Sequence, residues 1–373
     1  MSMTSRQRLL TALRCQQPDR VPIIIRGVNP YARAMNWRGE AHPSYRPLIE
    51  RVRACCDVEH IWTPTSGFFL NAAVDVQTRV EDKDGWRITH ALVDTPRGRL
   101  TSTSRAGIDS YSHAVTKHWI CDEQDVERFL SLPFALAQPD LCANVDANAE
   151  LSDSGYVLPN MPDPILFVHE LIGSELLAVW SVDAPHLIRR LLDEMGECCL
   201  AFTKLLLAGG VRDVLGLNGP EVATPPFFSP RRFDEMVARY DERLIELAHR
   251  HNCVVVVHCH GPMDAVLERF ANMGVDALHP LEAPPMGDVT LADAKRRVGD
   301  RICLMGNIQI GDLMACERAE IVAMTRQAIC DGAPGGGFIL TLSATPFERV
   351  LSPRTLDNLL AMIETGLECG GFD

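Results

Sequence analysis

The chain has 373 residues, 46% hydrophobic and 23% charged, enough apolar material for a large buried core. Its formal net charge is −13 with no basic run, so phosphate-backbone binding is disfavoured and no nucleic-acid partner is expected. No eighteen-residue stretch reads as wholly apolar and the polar opening lacks an apolar h-region, so no membrane span or secretory signal is expected; 13 cysteines without a CxxC pair fit a reducing, cytoplasmic setting.

Residues 4–15 read as a helix capped by Thr4 or Ser5, with Leu9, Leu10 and Leu13 on one face. Val21–Ile25 is a β-branched run of the kind a buried parallel strand needs. A helix over 45–56 and a strand over Val58–Trp62 follow. Alternating patterns over Thr78–Glu81, Trp86–Val93 and Gly98–Ser104 predict a β-meander inserted at about 68–120. From residue 157 apolar runs alternate with amphipathic segments. The predicted strands are Ile165–His169, Val211–Leu217, Val254–His258, Ala277–Pro280, Ile302–Gly306 and Phe338–Leu342. Strand–helix repetition with about eight strands predicts an α/β fold, a (β/α)8 TIM barrel formed by a single domain over residues 1–373. Gly335-Gly336-Gly337 precedes a strand rather than a helix, so it reads as a tight turn and not a phosphate cradle.

Enzymes on this fold work where the strands end. The residues just past each apolar run are Arg26 and Asn29; Asn218 and Glu221; His258, Cys259 and His260; His279 and Glu282; Asn307 and Gln309; Thr341 and Ser343. Four valines lead into His258-Cys259-His260, and residues two apart on a strand share a side. Two imidazoles with Cα atoms roughly 7 Å apart can converge on one zinc ion, with Glu282 as third donor. The same histidines can instead bond loop carbonyls or a substrate carboxylate. Glu221 is a candidate general base or substrate clamp. Arg26 is a candidate partner for a substrate carboxylate or for a structural salt bridge. Asn29, Asn218, His279 and Asn307 are expected to bind substrate, with Tyr111 and His113 of the meander as a lid over the mouth.

Taken in order, SRQRLLTALRCQQPDRVPI, TPRGRL, CDEQDVERFLSLP, GGVRDVLGLNGPE, FFSPRRFDEMV, VVVVHCHGPM, GVDALHPLEAPPMGDV, AKRRVGDRICLMGNI, GGGFIL and SPRTLDNLLAMIE resemble the uroporphyrinogen decarboxylase-like superfamily. The resemblance runs along nearly the whole chain and implies the barrel. It implies one of two chemistries: cofactor-free decarboxylation of a porphyrinogen, or methyl transfer through a corrinoid protein. Of the decarboxylases' arginine-rich N-terminal signature only Arg26 is matched. The superfamily's thiol-activating methyltransferases hold zinc through a His-x-Cys pair and a later cysteine. Here those positions are His258, His260 and, near the later cysteine, Ala344. The expectation is a corrinoid-linked methyltransferase or O-demethylase for a small organic substrate. His258, His260 and Glu282 would hold zinc, Glu221, His258 and His260 would be catalytic, and a separate corrinoid protein would be the partner. A metal-independent decarboxylase and a non-catalytic ligand-binding barrel are the alternatives, and any oligomer is expected to be a homodimer.

Overall fold

Two kinds of strand, told apart by their side-chain patterns, build two separate sheets. The computed structural model describes residues 2–32, 42–64, 67–108 and 113–372. In chain order the strands are β1 (Val58–Trp62), β2 (Gln77–Lys83), β3 (Trp86–Thr95), β4 (Gly98–Gly107), β5 (His113–Lys117), β6 (Gly155–Pro162), β7 (Val214–Asn218), β8 (Val254–His258), β9 (Ala277–Glu282), β10 (Cys303–Ile308) and β11 (Phe338–Leu342). The helices are α1 (Ser5–Leu13), α2 (Arg46–Cys55), α3 (Glu123–Leu130), α4 (Leu141–Leu151), α5 (Pro164–Asp183), α6 (Pro185–Ala208), α7 (Pro230–Phe233), α8 (Arg239–His249), α9 (Leu267–Met273), α10 (Leu291–Val298), α11 (Ile310–Ala315), α12 (Arg318–Gly332) and α13 (Pro353–Cys369). Among the described residues, seven strands form a parallel sheet in the order β1-β6-β7-β8-β9-β10-β11. The polar, alternating strands β2 to β5 form a separate four-stranded antiparallel sheet.

The Val21–Ile25 run lies against both edges of the parallel sheet. Ile23 bridges Leu340 in parallel sense, the Ile24 N–H donates to Leu340 O at 3.0 Å, and Leu340 N–H donates to Pro22 O. On the other side Asp57 N–H donates to Ile23 O at 2.9 Å. Pro22 has no N–H to give, which keeps this ladder short. Beneath it α1, closed by a capping box between Thr4 and Gln7, points Leu9, Ala12 and Leu13 into the sheet interior.

The expected strand at Ile165–His169 is wrong: those residues begin α5. Asp163 caps the helix by accepting from Leu166 N–H, and Pro164 stands at its first position, a helix start that outweighs β-branched propensity. The strand of that unit is β6, just upstream. The meander gains a fourth strand, β5, beyond the three expected. Gly335, Gly336 and Gly337 all have positive φ, and a Cβ on Gly336 would lie 2.4 Å from the backbone of Gln16, so the run is a turn packed under α1. The stretch Pro164–Asp183 is also long and apolar enough to cross a membrane by composition alone, with mean hydropathy 1.6. It packs against α6, half of the apolar window is buried within the fold, and Gly173 breaks its helical geometry. All thirteen cysteines are free thiols.

One buried carboxylate ties the N-terminal segment to β1. Asp57, 1% exposed, accepts from Arg8 Nη1 at 2.7 Å, from Arg20 Nη1 at 2.8 Å and from the Ile23 N–H at 3.0 Å. Removing one member of such a cluster strands the others' charges away from water. Asp57→Ala is expected to cost about 3–5 kcal/mol, read as a lowered urea midpoint for the whole chain.

Candidate active site

Along a strand, alternate side chains face the same way. Tyr156 and Leu158 of β6, Val214 of β7, Val254 and Val256 of β8, Ala277 of β9, Cys303 and Met305 of β10 and Ile339 of β11 share one apolar cluster with Ile24 and α1. The next positions of the same parity, toward the strands' C-terminal ends, are polar: Arg26, Asn160, Asn218, His258, His279, Asn307 and Thr341. Neighbouring strands hold three of them on one rung, Asn218 beside His258 and His258 beside His279, while Asn307 pairs with Thr341 and Glu282. Gly216 leaves space for an amide: a Cβ there would meet Asn160 Oδ1 at 3.1 Å.

The imidazoles carry a defined proton pattern. His279 is fully buried and its Nε2 lies 2.9 Å from Leu342 O. A carbonyl only accepts, so Nε2 bears the hydrogen. Burial, then the charge of Arg26, holds the His279 pKa well below its ordinary value, so the ring is neutral and Nδ1 is a lone pair. That lone pair stands 2.8 Å from His258 Nδ1, which therefore donates to it. His258 is also driven well below the usual imidazole range, by burial first and then by Arg26 and His260. Its remaining nitrogen, Nε2, is left as a lone pair. The two rings stack at 5.0 Å, and the His260 ring meets His258 edge-on at 4.7 Å.

His260 Nδ1 lies 3.3 Å from Glu282 Oε2, and the same oxygen accepts from the Gly261 N–H at 2.7 Å. Burial works against the charge of Glu282, but the bonds from His260 and Gly261 prevail and its pKa falls below the usual range. Glu221 follows β7 on the short turn Pro220–Ala223. Burial raises its pKa, more than its backbone bonds and His260 lower it, and its Oε2 has no partner. Asn160 Oδ1, Asn218 Oδ1, Thr341 Oγ1 and Gln309 Nε2 are likewise buried without a partner.

The expected metal set can be tested on this geometry. His258 and His260 are brought together, but Glu282 faces His260 Nδ1 and Gly261 instead of converging with both rings. Among the described residues no group of three or more His, Cys, Asp or Glu side chains is placed to hold an ion. The side chains present therefore do not complete a donor set. Arg26, read as a partner for a substrate carboxylate or for a structural salt bridge, makes the salt bridge: Glu59 binds it at 2.6 Å, and Tyr156 OH donates to the other oxygen of Glu59 at 2.8 Å. Asn29 is engaged within the fold, donating to His60 Nδ1 of β1 and accepting from the Tyr31 N–H. His113 is exposed on β5, in the antiparallel sheet, and is not gathered with the others. Tyr111 lies outside the described residues.

Sequence reasoning missed Asn160, Asp163 and Asp241. Asp163 ends β6, is fully buried, and leaves Oδ2 without a partner; Asp241 of α8 is fully buried with neither oxygen bonded. Burial, then the nearby Asp241, raises the Asp163 pKa well above normal, and burial raises that of Asp241 to about 8. The Asp163-Pro164 helix start was the signal that could have located β6 and hence Asn160.

A parallel β/α sheet with an apolar floor and a polar C-terminal rim is the architecture of α/β enzymes that bind their substrates at the strand ends. Within that class the chain belongs to the uroporphyrinogen decarboxylase (URO-D) family, whose profile matches residues 164–366. It is 30% identical over 199 residues to the methylcobamide:CoM methyltransferase MtaA of Methanosarcina barkeri, covering 52% of this chain and 55% of the relative. It is 27% identical over 163 residues to the uroporphyrinogen decarboxylase of Thioalkalivibrio sulfidiphilus, covering 43% and 44%. The chain thus matches about half the length of these relatives, both of them enzymes. A methyltransferase from Methanosarcina mazei shares the fold, with TM-score 0.63, 18% identity, and coverage of 98% and 99%.

A carboxyl whose folded pKa lies above its unfolded value supports the fold fully at low pH and loses that support as pH rises toward the folded pKa. Asp241, with an ordinary value of 3.8 and a folded value of about 8, places that loss between those limits. Wild-type Tm is expected to fall across this window, and Asp241→Asn to flatten the fall and melt higher than wild type at its alkaline end. Scanning calorimetry across the pH series checks both.

Proposed function

We propose that the chain is a methyl-transfer enzyme of the URO-D family. Its substrate is a small oxygen- or sulfur-bearing organic molecule bound at the polar rim, and the methyl group passes to or from a separate corrinoid protein. The observation that carries the reading is a neutral base near a carboxyl that holds its proton more tightly than usual: His258 Nε2, left as a lone pair by the His279 relay, and Glu221, whose pKa burial raises. When a thiol accepts the methyl group from the corrinoid, His258 Nε2 takes the thiol's proton and frees the sulfur as nucleophile. Where the substrate is instead a methyl ether giving its methyl group to the corrinoid, Glu221 gives its proton to the departing oxygen. Asn160, Asn218, Asn307 and Thr341 orient the substrate, and the unpartnered oxygens of Asn160, Asn218 and Thr341 favour hydroxyl or amide donors. Glu282 and His279 are positioning residues for His260 and His258.

The fold that accompanies this reading is a (β/α)8 barrel with Val21–Ile25 as its closing stave and the antiparallel sheet as an insertion, all within one domain. The M. mazei likeness and the bonds of Ile23 and Ile24 to Leu340 support it. Decarboxylation of a polycarboxylate is less well supported, because Arg26 is already neutralised by Glu59. Zinc is a second reading, favoured by one observation. A metal-bound imidazole usually donates its other N–H to an acceptor, and His258 does so through Nδ1. His258 and His260 would supply two donors, short of the three protein ligands a catalytic zinc usually has, and the ion would lend Lewis acidity to a substrate oxygen or sulfur.

Methylcobalamin with a small thiol acceptor, and methyl aryl ethers with reduced cobalamin, are the surrogate assays. In whichever direction turns over, His258→Ala is expected to lower kcat/KM by about 10²–10⁴. Activity is expected to fall as rising pH ionises Glu221, and that alkaline limb should vanish, with the rate, in Glu221→Gln. Retention of wild-type rates by both variants would sink the acid–base reading. Zinc content distinguishes the second reading. One ion per chain, lost in both His258→Ala and His260→Ala, supports it, and full activity of zinc-free protein removes it.

A further inference from the structure

The free edge of the antiparallel sheet carries a self-complementary strand, and we propose that β2 pairs with β2 of a second copy across a two-fold axis at Val80. The backbone sets the register. β2 and β3 are joined by the two-residue turn Asp84-Gly85, both at positive φ, so Lys83 and Trp86 form its closing hydrogen-bonded pair. Hydrogen-bonded and non-hydrogen-bonded pairs alternate from there. Glu81, Arg79 and Gln77 thus spend their N–H and C=O groups on β3. Those of Thr78, Val80 and Asp82 point away from it. Among the described residues, no backbone hydrogen bond reaches these three outward positions.

A two-fold axis at Val80 uses this set. Val80 exchanges both bonds with Val80 of the copy, and Thr78 pairs with Asp82 on either side. The same register places Arg79 opposite Glu81 of the copy and Gln77 opposite Lys83. Within one chain Arg79 Nη2 already lies 2.9 Å from Glu81 Oε2, so the axis completes a ring of four alternating charges. A parallel pairing in the same register would set Arg79 against Arg79 and Glu81 against Glu81. The charges that commonly protect an edge strand here reject one orientation and accept the other. At the centre stands Val80, a large apolar side chain left 54% exposed. The product is one continuous antiparallel sheet across two subunits.

Sedimentation equilibrium of the full chain over a concentration series tests this. Wild type is expected to form a dimer. Val80→Pro removes only an outward N–H and is expected to yield a monomer with unchanged circular dichroism. Arg79→Glu is expected to weaken dimerisation by about tenfold, by setting like charges together on both sides of the axis, and Arg79→Glu with Glu81→Arg to restore it. The charge pair decides the matter even where the proline variant fails to fold. A monomer at every concentration, or a dimer indifferent to all of these substitutions, overturns the proposal, the latter by assigning the interface to another face.

Discussion

Side chains on parallel strands must alternate between two faces, and the inward face of this sheet can hold polar groups only where it opens. Below that level the inward positions are Ile24, Leu158, Val214, Val254, Val256 and Ile339, sealed from beneath by α1. Two residues further along, the same parity brings in amides, a hydroxyl and imidazoles. The apolar floor therefore does more than stabilise the fold. It removes water from one side of the rim, and that desolvation sets the protonation of what stands there.

His258, His279 and Glu221 illustrate the effect. In water near neutral pH a carboxyl is charged and an imidazole is partly so. Burial disfavours both charges, and Arg26 adds to the pressure on the histidines. The outcome is a base that is free, at the end of β8, and a carboxyl that holds its proton more tightly than usual, on the turn that follows β7. Arg26 acts here through its field. Its own charge is met by Glu59, which Tyr156 also holds, so the cation closes the sheet beneath the rim and tunes the imidazoles above it.

Much of this was legible in the residues. The runs ending in His258 and Leu342 have the strand bounds expected of them. Placement of Asn218, His258 and His279 on one rung comes from the observed register, since His279 stands three residues before the end of β9 while the other two end their strands. β6 was hidden: Pro159 and Pro162 interrupt its pattern, and the apolar run after it belongs to α5. With β6 went Asn160. Glu282 was expected beside the histidines and is there, but whether its oxygen turns to a shared ion or to an imidazole N–H depends on the Gly261 backbone, which no pattern of residue types encodes.

By itself the sequence determined the layered α/β class, the strand-end positions of the histidines and amides, and the family. Each of these is written in local periodicity or in the ordered run of motifs. Only the tertiary structure decided the tautomer of His258, the raised pKa of Glu221, the engagement of Arg26 by Glu59, and the burial of Asp163 with Asp241. Those properties depend on distances between segments tens to hundreds of residues apart and on the water excluded between them, and both exist only once the chain has closed on itself.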